Sequence, residues 1–302
     1  MREMSGLLKR ARREILVNDG AMGTMLQAAG LAPGACPEEW NITHPEEVKA
    51  IHKAYFDAGS NMVQTNSFGG SREKLALYGY QDRGAELNRR SVELAREVAP
   101  RGGLVAFVVG PSGKMLAPLG DLTYDALVDT FTEQISAALE GGPDAIFIET
   151  MSDPAEARAG IEAVKAVCSL PVIATMAFNP GAQGFRTLMG TDPKEAARAM
   201  ADAGADIIGT NCGSVAVLDM AAIIEAMREE RGDLLYLAQS NAGIPRLQDG
   251  RTVYDLTPEE MASQIPALLD AGVNIVGGCC GTTPAHIRLI AQCVRLRSSS
   301  ST

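Results

Sequence analysis

Ala58-Gly59-Ser60-Asn61, Gly141-Gly142-Pro143-Asp144, Ala203-Gly204-Ala205-Asp206 and Ala271-Gly272-Val273-Asn274 are four versions of one short phrase. Each supplies a glycine where a helix must stop, then an Asp or Asn that leads into an apolar run. Working outward from these four places, eight short runs read as strands: Ile15–Asn18, Asn61–Thr65, Leu104–Val109, Asp144–Ile148, Val172–Met176, Asp206–Thr210, Leu234–Ala238 and Asn274–Gly277. They are aliphatic and nearly continuous, as parallel strands buried on both faces must be. Between them lie helix-length segments, among them Pro45–Ala58, Tyr124–Leu139, Pro154–Val167, Pro193–Ala203 and Pro258–Ala271. Asp153-Pro154, Asp192-Pro193 and Thr257-Pro258 place a capping side chain before proline at the first helical position. Eight strand–helix units in a chain of 302 residues predict an α/β fold, a single-domain (β/α)8 TIM barrel. An open doubly wound sheet is disfavoured, because no Gly-x-Gly-x-x-Gly follows the first strand. The domain is expected to span 1–302 with its core at about 15–294, without a linker, and with 298–302 disordered.

Composition narrows the function classes. Hydrophobic residues make up 46% and charged residues 21%, ordinary values for a well-buried globular chain. A net charge of -10 repels phosphate backbones and anionic membrane surfaces, which argues against nucleic acid or membrane as a partner. No apolar run approaches the ~18 residues of a membrane span. The N-terminal stretch lacks a signal-peptide core. Six cysteines, scattered except for one adjacent pair, suggest reduced thiols and a cytoplasmic setting.

In a barrel the strand C-termini and the loops after them form the active face. Those positions hold Asp19, Asn66, Glu149, Asn211-Cys212, Ser240-Asn241 and Cys279-Cys280. Cys212, Cys279 and Cys280 therefore converge, provided the glycines around the adjacent pair bend the chain so that both sulfurs face the axis. Three sulfurs fill three corners of a tetrahedron and leave the fourth open, the pattern of a catalytic Zn2+ site. Cys36, Cys168 and Cys293 sit at no strand end and read as small hydrophobes. A phosphate cradle at Gly277–Thr282 is disfavoured by its two cysteines and the lack of an adjacent lysine. His44, His52 and His286 show no ligand spacing, and His286 reads as structural or supporting. A zinc ion with three thiolates carries a net negative charge, which suits it to holding a thiol deprotonated rather than polarising a carbonyl. A free thiol of pKa ~8.5 is only a few per cent thiolate at pH 7. Alkyl transfer to sulfur is the expected chemistry.

At these residues the chain resembles the homocysteine S-methyltransferase family, from about Ile15 to Val294. The matching motifs are Asp19-Gly20-Ala21-Met22-Gly23-Thr24, Thr65-Asn66-Ser67-Phe68, Glu149-Thr150, Asn211-Cys212, Asn241-Ala242-Gly243 and Gly277-Gly278-Cys279-Cys280-Gly281-Thr282-Thr283-Pro284. The last looks most like the homocysteine-binding barrel of cobalamin-dependent methionine synthase. Relatives using S-adenosylmethionine or S-methylmethionine tend to carry arginine where Gly281 stands. The resemblance implies a zinc-dependent methyltransferase of methionine biosynthesis with Cys212, Cys279 and Cys280 on the metal. It implies that Asn241 lies beside the metal and ligates it when no thiol is bound. It also implies that Asp19 and Glu149 hold the substrate ammonium, and that the backbone of Gly20, Ala21, Gly23 and Thr24 meets the carboxylate.

The departures are specific. No corrinoid-binding sequence is present, so methylcobalamin would arrive on a separate corrinoid protein. Gln64 stands where the synthase usually has glutamate, and Cys212 is followed by Gly213-Ser214-Val215 rather than the usual turn. Three readings result. The first is S-methylation of a small-molecule thiol, L-homocysteine, from a methylcorrinoid donor. The second is the methyltransferase component of a corrinoid-dependent demethylase that takes its methyl group from a small donor. The third is a zinc-binding scaffold barrel with no enzymatic role.

Overall fold

The computed structural model describes residues 6–248 and 251–300. Eight parallel strands form the barrel: β1 (Leu16–Val17), β2 (Met62–Gln64), β3 (Leu104–Val109), β4 (Ala145–Met151), β5 (Val172–Met176), β6 (Ile207–Asn211), β7 (Leu235–Ser240) and β8 (Ile275–Gly278). Hydrogen bonding runs in the order β1-β8-β7-β6-β5-β4-β3-β2. The long helices are α1 (Pro45–Ala58), α2 (Gly84–Val98), α3 (Tyr124–Leu139), α4 (Pro154–Val167), α5 (Pro193–Ala203), α6 (Val217–Glu230), α7 (Pro258–Asp270) and α8 (Pro284–Ser300). The predicted (β/α)8 architecture is present, with one helix for every strand.

The fourfold phrase has a common job. Asn61, Asp144, Asp206 and Asn274 each accept a hydrogen bond through a side-chain oxygen, from the backbone N–H of Val17, Val105, Val172 and Tyr236 respectively, at 2.8–2.9 Å. The backbone N–H of each also donates to the carbonyl of that same residue, at 2.7–2.9 Å. Four two-bond clamps thus tie every even strand to its odd predecessor at the barrel floor. One of them, Asn61 to Val17, spans the β1–β2 seam and closes the ring. The glycines two residues before the acceptors, Gly59, Gly142, Gly204 and Gly272, all have φ between 73° and 110°. They end the preceding helices in a conformation that a Cβ would oppose.

Two layers of core follow from this arrangement. Inside the barrel, Leu16, Met62, Phe147, Ile173, Ile207, Leu237 and Ile275 stack together. The short helix Gly6–Ala11 adds Leu7 and Ala11 to that stack, so it plugs the floor. A larger annular layer between strands and helices includes Val63, Phe107, Phe131, Ile148, Met200 and Ile224. Helix starts follow the signals in the sequence: Asp153 caps Ala155, while Asp192 and Thr257 form capping boxes with Glu195 and Glu260.

Three differences from the sequence reading stand out. Strand β4 does not stop at Ile148; its register shifts there and pairing resumes at Met151 with Met176. The intervening bulge contains Glu149 and Thr150, and such irregularities re-aim side chains. Two hairpins, Asn179–Gly181 with Gly184–Arg186 and Arg246–Gln248 with Arg251–Val253, rise from the loops after β5 and β7. The expected disorder of 298–302 is corrected for its first three residues. Helix α8 continues to Ser300, and Ser298 and Ser299 donate back to Val294 and Arg295 four residues earlier. Ser301 and Thr302 lie outside the described residues.

Candidate functional site

At the C-terminal mouth of the barrel lies a cavity of about 320 Å³. Cys212, Cys279 and Cys280 line one side of it. Their three sulfurs lie within 4.8 Å of one another, with Cys212 and Cys280 at 3.9 Å. Strand β6 ends at Asn211, and Cys212 turns sharply, with φ of 56°. Cys279 and Cys280 follow the end of β8 in a turn closed by Thr282 N–H on the Cys279 carbonyl. Gly281, at φ of 78°, completes that turn, and a Cβ there would meet the Tyr254 ring at 2.4 Å. The predicted convergence of the three cysteines is what the chain adopts.

These sulfurs do not ionise independently. Cys280 is pushed down to about 3 by hydrogen bonds from Cys212 and Cys279, which outweigh burial, with the Tyr254 hydroxyl as a further donor. Cys279 is pushed up by its hydrogen bonds to Cys212 and Cys280 and by burial. Cys212 is pulled down by Cys279 but driven up more strongly by Cys280 and burial, to about 12. The three sulfurs compete for charge within one small cluster, so three thiolates together require a compensating cation. Asn241 is fully buried nearby in the chain's fold. Its Nδ2 donates to Gly213 O at 2.9 Å, and its Oδ1 has no partner among the described residues.

A second group of side chains is carboxylate and amide. Glu149 lines the cavity, and its Oε1 accepts from Gln64 Nε2 at 3.0 Å and Asn211 Nδ2 at 3.1 Å. Burial raises its pKa to about 7, against the hydrogen bond from Gln64. Asp19 is buried behind the wall: Oδ2 accepts from Gln64 N–H at 2.8 Å, and Oδ1 has no partner among the described residues. Burial drives its pKa well up, opposed by that Gln64 bond and reinforced by Glu149. Gln64 thus touches both carboxylates. Its Oε1 accepts from Asn18 and from Gln239, at 2.9 and 2.6 Å, which uses the amide at both ends.

The remaining sequence candidates are accounted for individually. Gly20, Ala21, Gly23 and Thr24 line the cavity. Ala21 N–H is already committed to Thr282 Oγ1 at 3.1 Å, which removes it from the expected carboxylate donors unless Thr282 yields. Asn66 lines the cavity but spends its amide on Pro37 O and Asn41 Oδ1, so it fixes the loop after β1. His286 accepts from Thr283 N–H at Nδ1 and pairs with Leu256 O through Nε2, pinning the β7 and β8 loops together. Asn211 and Thr150 stand in the active-face motifs without an assigned role, and Gln239 and Tyr254 are additions from the structure. Their roles come from a bulge, an amide orientation and a loop folded over Gly281, none of which has a signature in residue spacing.

Comparison with known proteins agrees with this geometry. The sequence profile of the homocysteine S-methyltransferase family matches residues 16–294. Methionine synthase from Mycobacterium tuberculosis (strain ATCC 25618 / H37Rv) is 34% identical over 95% of this chain, and that from Mycobacterium leprae is 32% identical over the same share. The chain spans about a quarter of the length of either relative, 25% in each case. In structure, the metallated form of homocysteine methyltransferase MmuM from Escherichia coli superposes with a TM-score of 0.78 at 24% identity, covering 95% of this chain and 98% of that one. A methyltransferase from Methanosarcina mazei gives 0.64 at 11% identity over 98% and 100%. At such identities these two likenesses speak for the barrel fold.

Proposed function

The chain belongs to the homocysteine S-methyltransferase family, and on that premise we propose that it is a zinc-dependent methyltransferase that activates a small thiol, L-homocysteine, for S-methylation. The observation that carries the reading is the meeting, in one cavity, of three cysteine sulfurs with the Glu149 carboxylate. The donor set fits zinc: three soft ligands select a soft or borderline cation, and three thiolates side by side need its charge. The unpartnered Asn241 Oδ1 supports the same fit, since a buried oxygen without a donor is costly unless something occupies it. Cys212, Cys279 and Cys280 would hold the ion, with Asn241 as the fourth ligand before thiol binds. Zinc in that position supplies a thiol kept deprotonated at neutral pH yet still nucleophilic.

The protein's own groups do the rest. Glu149 pairs with the substrate ammonium, and Asp19, buried behind the wall on Gln64 N–H, backs that carboxylate. Free backbone donors in Gly20–Thr24 receive the carboxylate. The three cysteines are only partly exposed at the cavity wall, which limits hydration of charge at the sulfur. A carbon–sulfur bond forms as the donor's bond to methyl breaks, and the thiol proton leaves to solvent. We assign the donor role to methylcobalamin carried by a separate corrinoid protein, and the setting to the cytoplasm; among the described residues no helix is long and apolar enough to cross a membrane. Gln64 in place of a glutamate favours a second reading, demethylation of a small donor onto a corrinoid protein, because it leaves the cavity with one fewer carboxylate. Isothermal titration of the zinc-loaded protein with L-homocysteine separates the two. Stoichiometric binding is expected, and its absence would remove the primary reading.

A further inference from the structure

Among the described residues, two that are not glycine have positive φ: Thr150, at 61°, and Cys212, at 56°. For a β-branched residue and a cysteine this conformation costs energy and persists only where the surroundings impose it. One side chain adjoins both. Asn211 precedes Cys212 in the chain, and it grips Thr150 from two directions: its Oδ1 accepts from Thr150 N–H at 3.1 Å, and its Nδ2 donates to Thr150 Oγ1 at 2.7 Å. Thr175 Oγ1 donates to the same Oδ1 at 2.7 Å, which fixes which end of the amide is oxygen. The amide is completely buried at the end of β6.

The Nδ2 group has a second task. It lies 3.1 Å from Glu149 Oε1 and 3.7 Å from Cys279 Sγ, so its two hydrogens face three acceptors. Two of the three belong to the opposite halves of the site, the carboxylate that faces the cavity and a sulfur of the cluster. A ligand cation that draws on Glu149 releases a share of this donor to the sulfur, and negative charge on the sulfur draws the donor away from Glu149, leaving that carboxylate freer for the cation. We propose that Asn211 is a positioning residue that couples amine recognition to the thiol centre, holding Glu149 and the cysteine cluster in register for a single ligand bearing both an ammonium and a thiol. The proposal rests on the reading of the cavity as an amino-thiol site. It adds that the preference for an amine is set by Asn211 acting through Glu149, not by Glu149 alone.

The test measures amine preference, the ratio of dissociation constants for 4-mercaptobutanoate and L-homocysteine, on zinc-loaded protein by isothermal titration. Asn211→Ala should reduce that ratio about tenfold, in line with the loss of a charge-assisted hydrogen bond worth ~1.5 kcal/mol or more. Zinc content should stay at the wild-type value. In the Glu149→Gln background, Asn211→Ala should change the ratio no further, because the group it acts through is gone. Should Asn211→Ala alone fail to fold, Asn211→Ala with Thr150→Gly relieves the left-handed strain and is measured in its place. Equal losses for both thiols, or additive effects of Asn211→Ala and Glu149→Gln, would overturn the coupling. If the wild-type protein binds neither thiol, it is the amino-thiol reading that fails. If it binds both and Asn211→Ala leaves the ratio unchanged, the reading stands and the coupling is wrong.

Discussion

The floor and the mouth of this barrel are built from the same eight strands, yet they solve opposite problems. At the floor, four Asp or Asn side chains perform one repeated bond, each closing a ring with the strand before it. At the mouth nothing repeats. Glu149 sits in a bulge, Cys212 in a strained turn, and Cys279 and Cys280 in a second turn of different shape. The polar atoms differ as well. Those of the clamps are satisfied, whereas Asp19 Oδ1, Gln239 Oε1, Thr210 Oγ1 and Asn241 Oδ1 are buried near the mouth without partners among the described residues. Periodic, satisfied polar groups stabilise; aperiodic, unsatisfied ones wait for a ligand. Mouth substitutions should therefore change binding, and floor substitutions should change stability.

The sharpest break would come from Cys212→Ser. Elemental analysis should show zinc falling from one per chain to nearly none, with thermal stability of the metal-free protein almost unaltered. Retained zinc would mean that the three sulfurs are not the site.

His52 is the exception to the contrast, and it gives the next largest effect. It lies fully buried in α1, away from the mouth, and both ring nitrogens lack partners among the described residues. Burial lowers its pKa from 6.5 to about 4. The unfolded chain therefore takes up a proton in this window before the folded one does. The neutral ring's full stability is present above pH 6.5 and is lost as pH falls towards 4, by about 3 kcal/mol at ~1.36 kcal/mol per unit. Comparing denaturant midpoints of the wild type and His52→Leu across that range isolates the effect. Parallel curves would mean that the ring is not buried neutral.

Glu149→Gln comes third. A lost charge-assisted hydrogen bond of ~1.5–3 kcal/mol should weaken L-homocysteine binding roughly ten- to a hundredfold, leaving zinc in place and a thiol without an amino group nearly unaffected. Asn274→Ala tests the floor. It removes the bond from Tyr236 N–H and the donation to Ala11 O, at 2.9 and 3.0 Å, and should cost about 1–3 kcal/mol of stability with no change in thiol affinity. A loss of affinity equal to that of Glu149→Gln would erase the distinction between the two ends. The smallest effect belongs to Cys36→Ser, which should leave the zinc content as it is. Cys36 points to Glu38 at 3.3 Å, apart from the cluster.

The same contrast explains what could be read without a structure. The floor was visible because its device recurs: glycine, one residue, then Asp or Asn, four times over. The three cysteines were visible because strand ends in a barrel share one face. Reading Asp19 and Glu149 as candidate ammonium partners needed the family resemblance, since a buried Asp or Glu at a strand end is as consistent with a structural ion pair. Asn211 and Gln64 were on the page as letters, but not as contacts. An amide's role depends on which way it is turned, and that is decided by Thr175, Thr150, Asn18 and Gln239 together. The bulge at Glu149–Thr150 has no spacing signal, because the aliphatic run simply ends there.

Gly281 and Tyr254 carry one further consequence. The place a Cβ at 281 would take is already filled by the Tyr254 ring, whose hydroxyl bonds Cys280. The two positions therefore form a single hereditary unit. A lineage that acquired a long side chain at 281 could keep this mouth only by shrinking or displacing residue 254, and the reverse change would leave a hole beside the sulfur. Exchanging the two residues together, rather than one at a time, is the route by which a barrel of this shape could rebuild the wall beside Cys280.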